Sequence, residues 1–187
     1  TKRQPEAVTQ LEAFGQYCDR EAGKTKEVKL ERSECQVKIT DTSKKLASKW
    51  HAIWKKFGDP GQHGGEQLAT SSEKAYRLYF KSVDAKDADV PTIRYAFAEL
   101  MFARGQFREA SELYASFEDE PKSGRKIDPK IAHDAAYAAV LSLERAVGDK
   151  WSDEDEKRFG ELADVYLRRN PQGQYVLELR FKKAFIA

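Results

Sequence analysis

The sequence predicts an all-α protein built as an array of antiparallel helical hairpins. Ala, Glu, Lys, Leu and Arg dominate its segments, and no segment alternates strictly between apolar and polar residues as a half-buried strand would. Amphipathic stretches of roughly 12 to 20 residues follow one another along the chain, and short breaks rich in Gly, Pro and Asp separate them. Such spacing is typical of stacked hairpins, in which each hairpin buries an apolar face that it could not bury alone.

The first predicted helix begins near Pro5, because the fixed φ of proline suits the first helical turn, and ends near Asp19. Three- and four-residue steps place its apolar side chains on one face. That face carries Val8, Leu11, Phe14 and Cys18.

A long second helix is predicted over residues 26–57, because a stripe at three- and four-residue steps continues from Val28 to Phe57. The polar stretch ITDTS within it leaves open a split into two helices, although we expect one continuous helix. The glycine-rich segment from Gly58 to Glu66 ends it. We therefore expect an N-terminal helical part over residues 1–57 and a single continuous domain of hairpins over residues 43–187.

The later helices follow from local signals. Residues 67–83 and 129–147 each read as one amphipathic helix, and Pro129 suits a first helical position. Ser152 suits an N-cap, and the acidic run that follows it lies at the positive end of the helix dipole. A last helix begins near Tyr175.

The stretch YAFAELMFARGQFREASELY, residues 95–114, carries the most regular pattern of small and large residues. Gly105 divides it into two amphipathic pieces, each too short to be stable alone. A glycine inside a helix costs about 1 kcal/mol relative to alanine, whereas a glycine at a helix end can adopt the left-handed conformation that closes the helix. We therefore predict two antiparallel helices that turn at ARGQF.

This stretch resembles a tetratricopeptide repeat, a helical hairpin of about 34 residues with small and large residues at set places. It departs from that pattern at Arg94, where the family often has Trp, and at Pro121, which closes the repeat late. The resemblance implies a right-handed superhelix with about three and a half repeats over residues 43–187. The helix-packing positions that the resemblance implies in this stretch are Phe97, Ala98, Met101, Gly105, Phe107, Ala110 and Tyr114.

The order of the elements also resembles a group of bacterial cell-envelope tetratricopeptide proteins, some of which belong to gliding-motility machinery. The segments that carry this likeness are the stretch above, AAYAAVLSLE and RNPQGQYVLELRFKKAF. The likeness implies export to the periplasm, with cytoplasmic location as the other reading. A lipid anchor or further repeats would then lie outside the 187 residues.

The two cysteines, Cys18 and Cys35, are too few for a disulfide-rich scaffold or a zinc cluster. Their spacing leaves two alternatives open: two buried thiols, or one disulfide between neighbouring helices.

Composition excludes several classes of function. Lys and Arg number 33 against 31 Asp and Glu, a near balance that argues against nucleic-acid binding. The chain contains no run of 18 apolar residues, so the sequence predicts no membrane-spanning helix. The histidines at positions 51, 63 and 133 match no zinc spacing, and GDPGQHGG lacks the Lys and Ser or Thr that end a phosphate-binding loop. We expect no cofactor.

The resemblance implies a non-catalytic scaffold that binds a peptide or protein on the concave face formed by the first helix of each hairpin. Exposed aromatic side chains are the usual anchors of such a partner. An all-helical enzyme or ligand-binding domain, with a pocket between the long helix and the repeats, is the alternative. The groove-facing positions implied by the family pattern are Thr92, Tyr95, Glu99, Phe102 and Ala103, with Tyr137 on the next hairpin.

Overall fold

The computed structural model describes residues 3–21, 28–57, 65–118 and 127–186. The all-α prediction is confirmed there, since these ranges hold eight α-helices, one short 3-10 helix and no strand. The helices are α1 (Arg3–Glu21), α2 (Val28–Phe57), α3 (Gly65–Ser82), α4 (Val90–Ala103), α5 (Phe107–Ala115), α6 (Pro129–Val147), α7 (Asp153–Arg169) and α8 (Val176–Ile186), and Ser116–Glu118 forms the 3-10 turn.

The long helix α2 is continuous through the polar stretch ITDTS. Ser43 lies in that stretch and is fully buried, and its hydroxyl donates to the Ile39 carbonyl at 2.7 Å. A polar residue that satisfies its hydrogen bond within the helix can be buried without breaking the helix. The glycine-rich segment that follows α2, which includes His63, lies outside the described residues.

The chain forms two compact units, Thr1–Ile93 and Arg94–Ala187, and the border between them falls within α4. The predicted N-terminal part and the predicted hairpin domain overlap over residues 43–57, and these residues lie in the first unit. Among the described helices, none combines the length and the apolar character needed to cross a bilayer.

In the first unit, α2 and α3 run antiparallel and contact each other along most of α3. The Ser72 hydroxyl donates to the Ala47 carbonyl at 2.8 Å, and both residues are fully buried. Toward the other end of the pair, the Gln36 amide nitrogen donates to the Ser82 carbonyl at 2.7 Å. Small residues at the contact allow the two backbones to approach closely.

Helix α1 lies against both α2 and α3 in the same unit. Cys18 of α1 and Cys35 of α2 are joined by a disulfide, with their Cα atoms 6.2 Å apart. Of the two alternatives that the spacing of the cysteines leaves open, the structure shows the disulfide between neighbouring helices. Gly15, one helical turn before Cys18, brings α1 close to Ile39.

In the second unit, α4 and α5 form the hairpin predicted around Gly105. Gly105 has φ of 75°, in the left-handed region, and the Gln106 amide donates to the Met101 carbonyl at 2.9 Å. This is the hydrogen bond that a glycine-terminated helix end makes. The ring of Tyr95 on α4 meets that of Tyr114 on α5, with centroids 5.5 Å apart.

The later helices of the second unit pack on one another in chain order, α5 on α6, α6 on α7 and α7 on α8. The Ser111 hydroxyl of α5 donates to the Ala139 carbonyl of α6 at 2.8 Å. Ser152 caps α7 as predicted, because its hydroxyl oxygen accepts from the Asp155 amide while the Asp155 carboxylate accepts from the Ser152 amide. Fully buried small residues line these contacts. They include Ala110, Ala135, Ala139 and Ala163.

Candidate partner-binding surface

Tyr95 is half-buried and takes part in the packing of its own hairpin. Its ring meets Tyr114 of α5 and Phe117 of the 3-10 turn edge-on, with centroids 5.5 and 6.2 Å apart. Burial raises the pKa of its hydroxyl, and the carboxylates of Glu99 and Asp134 raise it further. Tyr95 therefore stays neutral, and part of its side chain remains exposed to solvent.

Phe102 is half-buried near the end of α4. Its ring meets that of Phe107, with centroids 5.2 Å apart. The guanidinium of Arg145, from α6, lies 5.1 Å from the Phe102 centroid and 5.9 Å from the Phe107 centroid. This cation–π cluster connects α4 to α6.

Tyr137 on α6 stacks on Tyr175, with ring centroids 3.5 Å apart and planes within 6° of parallel. Its pKa is raised by burial first and then by the carboxylate of Glu178. The stack covers one face of Tyr137, and the side chain remains half-exposed. Tyr137 therefore connects α6 to the turn residue that immediately precedes α8, whereas Phe102 connects α4 to α6.

The link between α6 and α8 itself is electrostatic. The Lys182 ammonium lies 2.7 Å from a carboxylate oxygen of Glu144 and 2.7 Å from one of Glu178. These pairs raise the pKa of Lys182 even though burial opposes the shift.

The remaining predicted groove positions on α4 carry no aromatic ring. Thr92 is exposed and belongs to the first unit, in the first turn of α4. Glu99 is half-buried and Ala103 exposed, both on the part of α4 that belongs to the second unit. The second unit thus holds every predicted groove residue except Thr92. We call the half-exposed surface of Tyr95, Glu99, Phe102, Tyr137 and Tyr175 the aromatic face.

The predicted packing residues lie mostly inside the second unit. Two of the seven are exceptions, since Phe107 is half-buried beneath Arg145 and Gly105, at the turn, is exposed. Burial raises the pKa of Tyr114 well above its usual range. The buried members of the set are Phe97, Ala98, Met101, Ala110 and Tyr114.

Sequence reasoning missed the outward side of α8. Leu177, Phe181 and Phe185 are 82%, 63% and 76% exposed, while Val176 and Leu179 of the same helix are buried. The three exposed residues follow at four-residue steps, so they form one stripe. The signal was present in the sequence, because the apolar residues of α8 are too many for one helix face.

A second set of charged contacts joins α5 to α7. Arg108 approaches the Asp155 carboxylate at 2.8 Å, and Arg158 approaches the Glu112 carboxylate at 2.8 Å. The Arg108 guanidinium, with the Ser152 hydroxyl, lowers the pKa of Asp155 to about 2. Both carboxylates are paired with arginines that join α5 to α7, an arrangement that serves structure.

Within the described ranges, no group of three or more His, Cys, Asp and Glu side chains could hold a metal ion. His51 is buried and shares a hydrogen bond with the Tyr76 hydroxyl at 3.0 Å. His133 lies 3.1 Å from the Asp134 carboxylate and edge-on to Tyr166. Both histidines thus have neighbours that account for their positions.

Comparison of the chain with protein-family models, with curated proteins and with solved structures found no match.

Proposed function

We propose that this chain is a non-catalytic scaffold of tetratricopeptide-like hairpins that binds a peptide or protein on the aromatic face. The observation that carries the proposal is that side-chain contacts join α4 to α6, and α6 to the residue at the start of α8, across this face. Phe102 contacts Arg145, and Tyr137 stacks on Tyr175. In a hairpin array the first helices of successive hairpins line one surface, and here α4, α6 and α8 are those helices.

The chemistry of the face suits a polypeptide partner. Half-exposed aromatic rings provide contact area at little cost in side-chain entropy, which is why they are enriched at the centres of protein interfaces. The Tyr95 hydroxyl and the Glu99 carboxylate add hydrogen-bonding groups that can select a register. Each ring is supported by a neighbour, so the face is arranged before a partner arrives.

Arrangement as a superhelix is part of the proposal. It is supported by the Gly105 turn, by the chain-order packing of α5 to α8 and by the separate contacts of α5 with α7. We further propose an oxidising compartment, the bacterial periplasm, because the Cys18–Cys35 disulfide would persist there. A thiol count on denatured protein isolated from its own cells tests this, and two free thiols would contradict it.

The binding proposal is tested by affinity capture from an envelope extract with the intact chain and with a Tyr95→Ala, Phe102→Ala double variant. We expect the double variant to lose one or more captured proteins by at least tenfold. The matched control is Tyr17→Ala with Phe57→Ala, which removes one tyrosine and one phenylalanine that are 61% and 63% exposed in the first unit.

Two further measurements keep the result interpretable. Thermal unfolding of each variant separates lost binding from lost folding, since Tyr95 also packs on Tyr114. A photo-crosslinking residue in place of the exposed Ala103 should label the same captured protein. Equal capture by the intact chain and the double variant would refute the assignment of the face.

A further inference from the structure

The first unit contains a crevice that the scaffold function does not use. It lies between α1, α2 and α3, next to the Cys18–Cys35 disulfide, and has a volume of about 510 Å³. Clefts of roughly 300 to 1,000 Å³ are the size that small organic ligands occupy. We call it the disulfide crevice.

Part of the lining is apolar. Ile39 of α2 and Leu78 of α3 line the crevice together with the disulfide. Gly15 of α1 adds no side chain, and a Cβ atom there would lie 3.4 Å from the Ile39 Cδ1. At position 15, glycine therefore lets α1 approach Ile39 closely and places no side chain in the crevice.

The other side of the crevice is cationic. Lys74, Arg77 and Lys81 follow at three- and four-residue steps along α3, so one helix face brings all three to the lining. Glu12 of α1 is the carboxylate that also lines it. Arg77 pairs with Glu73 at 2.9 Å, which leaves the two lysines as the cations nearest to a bound anion. The local excess of positive charge contrasts with the near balance of the whole chain.

The walls of the crevice are held in place before any ligand binds. The disulfide fixes α1 to α2. The Gln36 amide and the Thr40 hydroxyl of α2 donate to the carbonyl and hydroxyl oxygens of Ser82 of α3, at 2.7 and 3.0 Å. A preformed cavity avoids the free-energy cost of ordering its walls upon binding.

We propose that the disulfide crevice binds a small organic anion with an apolar body, of the class of a medium-chain carboxylate. The carboxylate pairs with the ammonium groups of Lys74 and Lys81, and the hydrocarbon covers Ile39, Leu78 and the disulfide. This site is separate from the aromatic face and lies in the other unit, so each of the two proposals can fail without the other.

The test is calorimetric titration of the intact, oxidised protein with dodecanoate below its micelle concentration. We expect saturable binding of one equivalent, and at least tenfold weaker binding of dodecyltrimethylammonium, which has the same chain and the opposite charge. Absence of saturable dodecanoate binding, or equal binding of the two amphiphiles, would overturn the proposal.

Two pairs of variants locate the site. Gly15→Met should fill the crevice and weaken binding at least tenfold, whereas Gly15→Ala adds only a Cβ at ordinary contact distance and should leave binding unchanged. Lys74→Gln with Lys81→Gln should likewise weaken binding tenfold or more, and Lys45→Gln with Lys49→Gln, exposed on α2, should not. Circular dichroism and thermal unfolding confirm that each variant is folded. If the crevice variants bind dodecanoate as their controls do, the ligand binds elsewhere and the proposal fails.

Discussion

The two units bring helices together with the same device. In the first unit the Ser72 hydroxyl donates to the Ala47 carbonyl, and in the second the Ser111 hydroxyl donates to the Ala139 carbonyl, each at 2.8 Å. All four residues are at most 1% exposed. A serine opposite an alanine leaves room for two backbones and satisfies the hydroxyl, so close helix contact leaves no polar group without a partner.

The two units differ in the other features that stabilise them. The first has a disulfide, a 30-residue helix and a buried hydrogen bond between His51 and Tyr76. The second includes the two shortest of the described α-helices, α5 with 9 residues and α8 with 11, and two of its helices end at glycines with positive φ, Gly105 and Gly148. Short helices are not stable alone, so the second unit depends on packing between neighbours along the chain.

This difference has a functional consequence. In the first unit Tyr76 and Tyr79 are fully buried and Trp50 is 6% exposed, so these rings belong to its core, while Tyr17 and Phe57 are exposed on two different helices. In the second unit Tyr95, Phe102 and Tyr137 remain half-exposed, and their contacts join neighbouring helices and turns. A unit built from repeated contacts leaves a row of side chains at its surface, and that row is the surface we assign to a partner.

The largest expected effect comes from removal of the disulfide. Replacing Cys18 and Cys35 by serine opens a link across a sequence separation of 17, and loss of its constraint on the unfolded chain should lower the free energy of unfolding of the first unit by about 3 kcal/mol. Hydrogen exchange measured by mass spectrometry reports each unit separately. Faster exchange is expected in α1 and α2 and unchanged exchange in α5 to α7. An equal acceleration in both units would show that they do not unfold separately.

The second effect depends on pH and also belongs to the first unit. Burial first, and then the charge of Lys55, lowers the pKa of His51 to about 4 from the 6.5 expected in the unfolded chain. Between these two values the unfolded chain binds a proton that the folded chain does not, so stability falls as the pH falls through this window. The expected loss between pH 7 and pH 5 is about 2 kcal/mol.

Denaturant titration at both pH values, with His51→Gln as the reference, measures this loss. Glutamine can keep a hydrogen bond to the Tyr76 hydroxyl and does not titrate in this range. Subtracting the variant removes the contribution of carboxylates elsewhere. If the intact chain and the variant lose the same stability on acidification, then His51 is not held neutral in the folded protein.

The smallest effect concerns the glycine turn of the second unit. Gly105→Ala places a Cβ in the left-handed region and should cost about 1 kcal/mol. Gly160→Ala is the matched control, because Gly160 lies inside α7 with open space around a Cβ and should gain up to about 1 kcal/mol. Urea unfolding of both variants checks the opposite signs. A stabilised Gly105→Ala variant would contradict the turn assignment.

Local signals in the sequence accounted for much of the fold. Pro129 marked the start of α6 and Ser152 capped α7, because the groups that begin a helix are near neighbours in the chain. Gly105 marked the turn between α4 and α5 for the same reason. The continuity of α2 was harder to predict, since it depends on a buried Ser43 that bonds within the helix.

The candidate surfaces were less accessible to sequence reasoning. The Tyr95 ring packs against Tyr114 and Phe117, and Tyr175 covers one face of the Tyr137 ring. These contacts join residues up to 38 positions apart. The disulfide crevice likewise required knowledge of which helix faces meet.

By itself, the sequence determined that this protein is all-helical, where most of its helices begin and end, and that residues 95–114 form a hairpin, because periodicity, caps and glycine conformations act within a few residues. The tertiary structure decided that Cys18 and Cys35 are joined, that α1 approaches Ile39 closely at Gly15, and which aromatic rings stay at the surface. Those outcomes depend on how helices distant in the chain pack on each other, and helical periodicity alone does not specify which face meets which neighbour.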